Sequence, residues 1–241
     1  MRKTLVVGNW KMNQSLSDIT NFFNSVKESG FSDEAWIAPQ ALHLSKLIEV
    51  APKNFKTGAQ NCSYENTGAF TGEISPSSLK ELGCEFVIIG HSERRAIFKE
   101  THDELNLKVK KALESHLKVI FCIGETLEER ESGKIEAVLG EQLKKGLEGV
   151  NSSDVIIAYE PVWAIGTGVT ATPAQAQETH EFVRSFLAKE TALNAEATLI
   201  LYGGSVKPDN AKELFSCADI DGGLVGGASL KAESFMGLYG K

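Results

Sequence analysis

Three side chains in this sequence, Glu160, His91 and Lys11, have the chemistry needed to move a proton on a carbonyl compound. A desolvated carboxylate can take a proton from carbon, and a neutral imidazole can donate a hydrogen bond to a carbonyl oxygen. A lysine beside them would supply positive charge to an anionic substrate. Each residue alone has a commoner explanation, namely an ion-paired glutamate, a packed histidine and a solvated surface lysine. All three follow short apolar segments, and that shared position favours a common site.

The residues around Glu160 and His91 favour the roles of base and hydrogen-bond donor. Glu160 follows an apolar run, so we expect burial to raise its pKa toward that of a useful base. His91 precedes what is predicted to be a helix start, where the helix dipole disfavours the imidazolium form. Glu93, inside that helix start, is a second candidate base. The uncharged segment 161–173 predicts a flexible lid that excludes water.

These residues belong to a chain in which short apolar runs alternate with helical patterns. The run 86–90 is rich in β-branched residues, as in a parallel strand that is buried on both faces. Alternation implies parallel crossovers, and eight units imply a closed (β/α)8 TIM barrel, an α/β fold, as a single domain over residues 1–241. An open doubly wound sheet competes, but it usually has fewer strands. The predicted strands are 5–9, 35–38, 55–60, 86–90, 119–123, 155–159, 198–202 and 220–225, with eight surrounding helices.

In a parallel barrel, the strand ends that precede these candidate residues meet at one rim. Asn9 and Lys11 follow the first predicted strand, His91 follows the fourth and Glu160 follows the sixth. Active sites of such barrels lie at this rim. The one-sided distribution of polar residues therefore predicts an enzyme.

Two glycine pairs, Gly203-Gly204 and Gly226-Gly227, follow the last two predicted strands. Glycine has no Cβ, so its backbone N–H can approach a ligand closely. One such pair most often only turns the chain, because short glycine motifs are weak signals. Two pairs in these two loops match the place where barrels often bind phosphate, and Ser205 adds a hydroxyl donor.

Composition argues against several other classes of protein. The 241 residues are 42% hydrophobic, enough for one large core, and the formal net charge is −7. This charge is poorly suited to binding nucleic acid or anionic membranes, and the apolar run near the N-terminus is too short for a signal peptide or a membrane span. The four cysteines lack metal-binding spacing. We therefore expect reduced thiols and a cytoplasmic location. The proton transfer on a carbonyl compound needs neither a metal nor an organic cofactor.

Seven segments of the chain resemble motifs of the triosephosphate isomerase family. They are GNWKMN at 8–13, GAQN at 58–61, GHSERR at 90–95, CIGE at 122–125, AYEPVWAIGTG at 158–168, YGGSV at 202–206 and VGGA at 225–228. The segment 16–56 carries no such motif. The resemblance implies interconversion of dihydroxyacetone phosphate and D-glyceraldehyde 3-phosphate through an enediolate, a step of glycolysis and gluconeogenesis.

The resemblance also implies a role for each matching residue. Glu160 would take a proton from the carbon next to the carbonyl, and His91 would polarise the carbonyl and shuttle protons between the two oxygens. Lys11 and Asn9 would stabilise the developing negative charge, with Glu93 in support. The residues expected to bind the phosphate are Gly166, Ser205, Gly226 and Gly227.

Members of this family are commonly dimeric through the loop after the third strand, so the resemblance implies a homodimer. Here that loop, 62–72, is long for a connection inside a compact domain. By resemblance, Thr71 would approach the partner's Lys11. One departure from the family is Val169, where many members carry a lysine in the lid, and we expect it to have little effect on the chemistry.

Two other functions compete with the isomerase. A different phosphate-handling barrel enzyme, such as an aldolase, would keep the glycine pairs without needing Lys11, His91 and Glu160 together. A Schiff-base lysine would also have to lie within an apolar strand, and no apolar strand among those predicted contains one. A non-catalytic phosphate-binding scaffold should have lost at least one of the three side chains.

Overall fold

The eight strands form the closed barrel that the alternating pattern predicts. The structure is a computed structural model that describes residues 2–165 and 170–240. Each strand is parallel to the next in chain order, and the last pairs with the first from Leu5 opposite Gly222 to Gly8 opposite Val225. The predicted fold class is therefore confirmed. In chain order, β1 to β8 are Leu5–Asn9, Ala35–Ala38, Phe55–Ala59, Phe86–Ile89, Lys118–Ile123, Val155–Tyr159, Ile200–Tyr202 and Gly222–Val225.

Helices surround the barrel, and the described ranges contain ten, two more than the pattern predicted. The two helices beyond the eight counted are α4, which is the helix start predicted after His91, and α6; both are short and directly follow the loops after β4 and β5. None of the helices in the described ranges is long and apolar enough to cross a membrane. In chain order, α1 to α10 are Leu16–Ser29, Leu44–Val50, Pro76–Leu82, Ser92–Ala96, His102–Glu114, Leu127–Glu131, Ile135–Gly146, Pro173–Glu190, Pro208–Phe215 and Ala232–Gly237.

The residues at the ends of the helices explain where they start and stop. α1 begins after Ser15, whose side chain exchanges capping hydrogen bonds with Asp18, and it ends at Gly30 with a φ of +71°. α8 begins after Thr172, which forms the same arrangement with Gln175. The capping residues Ser15 and Thr172 thus start these helices after the rim loops that follow β1 and β6, and these loops carry polar residues of the rim.

The strands are buried on both faces, as the run of residues in β4 predicts. Phe86 and Ile88 point into the barrel interior, together with Trp36 of β2. Val87 and Ile89 point outward into the layer between strands and helices. The interior is thus filled with side chains, which makes the barrel a rigid support for the groups at its rim.

The strands β7 and β8 start two residues later than the apolar pattern predicted. Arg184 of α8 donates to the carbonyl of Thr198 at 3.0 Å and to Asp221 Oδ2 at 2.8 Å. Asp221 Oδ2 also accepts the backbone N–H of Ile200 at 2.9 Å. Side chains therefore add to the backbone hydrogen bonds at the amino-terminal ends of β7 and β8, where Leu199 and Asp221 still bond to the neighbouring strands.

His180 of α8 is fully buried between the rings of Tyr159 and Tyr202, and its Nδ1 is 2.7 Å from the carbonyl of Ala176. Burial disfavours the imidazolium and lowers the pKa of His180 to about 4. Because a carbonyl only accepts, Nδ1 carries the proton.

We predict that His180 makes the fold sensitive to mild acid. Between about pH 7 and pH 5 the unfolded chain binds a proton at this histidine and the folded chain does not, so folding stability falls by about 2 kcal/mol from this group. Urea unfolding of the wild type and of His180→Gln at both pH values measures this loss. The pH dependence should be weaker in the variant by about that amount, and equal pH dependence in the two proteins would contradict the assignment.

Candidate active site

A cavity at the carboxyl-terminal rim contains the side chains that the sequence singled out. It has a volume of about 740 Å³ and is lined by Asn9, Lys11, His91 and Glu160. Asn9 ends β1, His91 follows β4 and Glu160 follows β6, so three separate strands position these groups. The loops after β7 and β8 supply another part of the lining through residues 203–209 and 226–228.

Glu160 and His91 are in direct contact in this cavity. Glu160 Oε1 lies 2.9 Å from His91 Nε2, and Glu160 Oε2 accepts the backbone N–H of Ser92 at 2.9 Å. Only 2% of Glu160 and 6% of His91 is exposed, so little water competes for these hydrogen bonds. The carboxylate therefore depends on two protein donors.

The expectation that the pKa of Glu160 is raised is wrong for this conformation. Burial raises this pKa, but the hydrogen bonds from His91 and from the Ser92 N–H, together with the positive charge of Lys11, act against burial, and the net direction is downward. The donor at Ser92 is 68 positions away in the chain. An apolar sequence around Glu160 could therefore indicate its burial, but not its hydrogen-bond donors.

The hydrogen bonds of His91 determine which ring nitrogen carries the proton. Nδ1 accepts the backbone N–H of Glu93 at 3.2 Å and so caps the N-terminus of α4. Burial lowers the pKa of His91, whereas the Glu160 carboxylate raises it, and the second effect is larger. A second ring proton would still need the Nδ1 lone pair that forms the cap. The cap therefore favours the neutral ring with its proton on Nε2, the form expected from the helix start, whereas the raised pKa favours the imidazolium and runs against that expectation.

Lys11 is held at the rim by its own backbone. It has a φ of +49°, a left-handed conformation that costs a non-glycine residue about 1–2 kcal/mol. Its N–H donates to Asn9 Oδ1 at 3.0 Å, and its carbonyl accepts from Gln60 Nε2 at 2.8 Å. Gln60, which follows β3, also donates to the carbonyl of Ala38 at the end of β2. These bonds fix the backbone from which the lysine side chain enters the cavity.

Glu93 lies beside the cavity and pairs with Lys11. Its Oε1 is 2.6 Å from Lys11 Nζ, and 45% of its side chain is exposed. A hydrated, ion-paired carboxylate is a weaker candidate for the base than the buried Glu160. The contact agrees with the supporting role expected for Glu93.

The two glycine pairs serve different purposes. A Cβ on Gly203 would lie 2.7 Å from Glu160 Cγ, and a Cβ on Gly204 would lie 2.3 Å from Tyr202 Oη, so this pair makes room for side chains of the protein itself. A Cβ on Gly227 would meet nothing within 4 Å, and one on Gly226 would meet only Lys11 Cε at 3.6 Å. The second pair therefore borders open space in which an anion could approach the backbone.

Ser205 does not use its hydroxyl as a donor to the cavity in this conformation. Its Oγ donates to the carbonyl of Ala164 at 2.8 Å, which links the loop after β7 to the segment after Glu160. Ser205 still lines the cavity. Its backbone N–H is thus the group that remains for a ligand.

A buried carboxylate, Glu125, anchors the segment that follows Glu160. Its Oε1 accepts from Tyr159 Oη at 3.0 Å, Trp163 Nε1 at 2.9 Å and Arg130 Nη1 at 3.1 Å. The sequence placed Glu125 in a family-like motif without assigning it a role. The sequence signal that could have indicated a role for Glu125 is its position just after β5, since the other candidate residues also lie at strand ends.

Of the remaining residues of the sequence prediction, one lies outside the cavity and two fall outside the described residues. Thr71 is exposed on the loop after β3 and does not line the cavity. Gly166, expected to bind phosphate, and Val169, expected in the lid, fall outside the described residues. Within the described ranges, no group of three or more His, Cys, Asp or Glu side chains is arranged to hold a metal ion.

Comparison with known proteins gives one family. The family described as Triosephosphate isomerase matches residues 4–241 of this chain. A triosephosphate isomerase of Chlorobium phaeovibrioides is 52% identical over 99% of this chain and 98% of its own length. Those of Finegoldia magna and Leptospira interrogans are 50% and 49% identical, over at least 99% of this chain and 100% of their own lengths.

We predict that Gly203→Ala destabilises the fold because the added Cβ would collide with Glu160 Cγ at 2.7 Å and crowd the carbonyl of Tyr159 at 3.1 Å. Overpacking of this kind costs about 1–3 kcal/mol. Gly227→Ala is the matched control, because its Cβ would meet nothing within 4 Å, and we expect a change of less than about 0.5 kcal/mol. Chemical denaturation measures both, and equal stability of the two variants would refute this account of Gly203.

Proposed function

The chain belongs to the triosephosphate isomerase family, and we propose that Glu160, His91, Lys11 and Asn9 carry out its reaction. The chain interconverts dihydroxyacetone phosphate and D-glyceraldehyde 3-phosphate. This reaction is an aldose–ketose isomerisation of glycolysis and gluconeogenesis. The observation that carries the assignment of residues is the contact of 2.9 Å between the Glu160 carboxylate and His91 Nε2 in the rim cavity. A base and a proton donor so close together can act on adjacent atoms of one small substrate.

The proposed reaction consists only of proton transfers between the substrate and the enzyme, and its net result is a proton moved within the substrate. Glu160 removes a proton from the carbon next to the carbonyl, and His91 Nε2–H donates to the carbonyl oxygen, which gives an enediolate. His91 then moves a proton between the two oxygens, and Glu160 returns its proton to the neighbouring carbon. The carboxyl group and the imidazole each end as they began, and no electron leaves the substrate.

Burial is what makes Glu160 useful as a base under this proposal. In the present conformation, two donors offset the cost of burying its charge and lower its pKa. When the carboxylate moves from those donors to a C–H bond, it loses their hydrogen bonds. Burial then disfavours its negative charge more strongly, and the pKa of Glu160 rises. The weak base of the resting site thereby becomes a stronger base at the substrate.

Positive charge and backbone donors would hold the two ends of the substrate. Lys11 and Asn9 line the side of the cavity formed after β1, where they would stabilise the enediolate oxygens. The open space at Gly226 and Gly227 favours binding of the phosphate through backbone N–H groups, with Ser205 alongside. We also assign Gly166 to this phosphate site, on the family motif alone.

We further propose that the segment 161–173 closes over the bound substrate as a lid. Its start is tied to the site, because Trp163 donates to Glu125 and Ile165 lines the cavity. Closure would exclude water from the enediolate, which otherwise can lose its phosphate. In addition, we propose that residues 1–241 form one domain and act in the cytoplasm, where the four free cysteines described here would stay reduced.

We expect Glu160→Gln to lower kcat by several orders of magnitude, because an amide cannot accept the carbon-bound proton. Isomerisation of D-glyceraldehyde 3-phosphate in a coupled assay measures the loss. Glu93→Gln is the matched control, since this carboxylate is exposed and paired with Lys11, and it should retain far more activity. Full activity of Glu160→Gln would move the base to Glu93, whereas an inactive wild type would exclude the isomerase function itself.

We also propose that the chain forms a homodimer through the loops after the first four strands. Large hydrophobic side chains are exposed in the loops after β1, β2 and β3 and directly after α4, an arrangement that favours burial against a second copy. Thr71 and its neighbours project from the same region, on the exposed part of the loop after β3. The exposed side chains are Met12 at 85%, Leu42 at 90%, Phe70 at 40%, Ile97 at 68% and Phe98 at 63%.

Sedimentation at micromolar concentration should show a dimer, and Phe70→Lys should shift it toward the monomer by placing a charge in the interface. Leu82→Lys is the control, because Leu82 is equally exposed at 41% but lies at the far end of α3, away from the rim. A monomeric wild type, or equal effects of the two substitutions, would contradict the proposed interface.

A further inference from the structure

Arg95 of α4 joins the end of β4, which leads to His91, to the end of β5, which lies between β4 and the strand that leads to Glu160. Its Nε donates to the carbonyl of Gly90 at 2.8 Å, and its Nη2 donates to the carbonyl of Cys122 at 2.8 Å. Gly90 directly follows β4, and Cys122 is the residue before the end of β5. One planar guanidinium therefore bridges two neighbouring strand ends, which is a geometry that arginine can form and lysine cannot.

This bridge begins where the backbone ladder stops. The last paired residues of β4 and β5 are Ile89 and Phe121, so Gly90 and Cys122 stand one step beyond the ladder. The guanidinium supplies the next connection between the two strands. It packs over the ring of Phe121, with its Cζ 5.5 Å from the ring centroid, and its Nη1 lies 3.4 Å from His102 Nδ1, so its position is determined on several sides.

Each bridged carbonyl leads directly to a group of the proposed reaction. The carbonyl of Gly90 belongs to the same planar peptide unit as the N–H of His91, so fixing that oxygen fixes the backbone that carries the imidazole. The carbonyl of Cys122 belongs to the peptide unit shared with Ile123, whose own carbonyl accepts the backbone N–H of Glu160 at 2.7 Å. The guanidinium therefore connects the backbone of the donor to the backbone of the base.

Gly90 provides the space that this bridge requires. It has a φ of +76°, and a Cβ there would lie 2.9 Å from Arg95 Nη2 and 3.2 Å from the carbonyl oxygen of Cys122. Among the described carboxylates, none forms an ion pair with Arg95 within 4.0 Å, so its contacts are directed to the backbone carbonyls.

We propose that Arg95 is a positioning residue for proton transfer, which sets the distance between His91 Nε2 and the Glu160 carboxylate by bridging the ends of β4 and β5. This inference rests on the proposed roles of His91 and Glu160. Arg95 does not line the cavity, so it is not placed to contact a substrate bound there. Its loss should therefore change the chemical step and leave phosphate binding nearly intact.

The test is Arg95→Lys, which keeps the positive charge and removes the two-carbonyl bridge. Misplacement of reacting groups by an ångström can cost about 100-fold in rate, so we expect kcat to fall by about 10- to 100-fold with KM within about twofold. The matched control is Arg184→Lys, which removes a buried arginine that bridges the carbonyl of Thr198 before β7 and the carbonyl of Asp219 before β8, at the opposite end of the barrel. It should lower the melting temperature and leave kcat unchanged.

A second variant decides the question if Arg95→Lys does not fold. Gly90→Ala keeps the guanidinium but displaces it with a methyl group. We expect this variant also to have a lower kcat, with a smaller change in KM. Wild-type kcat in either folded variant would overturn the proposal, as would an equal loss of kcat in Arg184→Lys. Because the wild type and Glu160→Gln are assayed beside them, failure of the isomerase assignment would be distinguished from failure of the role of Arg95.

Discussion

Closure of β8 onto β1 is the constraint on which the rest of this structure depends. Gly222 has a φ of +127°, and a Cβ there would lie 1.9 Å from the carbonyl oxygen of Leu5, so only glycine lets the two strands meet. Closure turns eight strand ends into one ring. Asn9, near the start of the chain, and Gly226, near its end, therefore line the same cavity. A site made from distant parts of the chain is stable because the barrel that holds it is filled by side chains.

The ring also explains how a buried carboxylate can exist at the site. A charge removed from water needs donors nearby, and Glu160 has them because the strand that precedes His91 and Ser92 is brought beside β6 with only β5 between them. Gly203, from the next strand on the other side, leaves room for the Glu160 side chain. Neighbouring strands thus supply the hydrogen bonds and the space, and each contributes a different part of the environment of one side chain.

Much of the fold and the membership of the site could be predicted from the sequence, because both follow from local signals. The apolar run of β4 is visible in four consecutive residues, and Asn9, His91 and Glu160 each stand at a strand end. The late start of β7 was not predictable, since Thr198 is apolar enough to extend the run while its carbonyl is bound by Arg184 of α8. The lowered pKa of Glu160 was missed for the same reason, because its donors come from a distant loop. Apolar periodicity can be recognised in neighbouring residues, whereas a hydrogen-bond partner that is distant in the chain cannot be inferred from them.

The cavity combines fixed groups with one group whose position depends on competition. Lys11 is fixed by the hydrogen bonds of its backbone, and the imidazole of His91 is fixed through its Nδ1 cap on α4. Glu160 is held differently, because one of its two donors is His91 Nε2–H, the same group that the proposed reaction directs at the substrate carbonyl. A carbonyl that takes this donor removes half of the hydrogen bonding that stabilises the carboxylate. Binding of the substrate and strengthening of the base are then linked through a single proton, since what the carbonyl gains in polarisation the carboxylate loses in stabilisation.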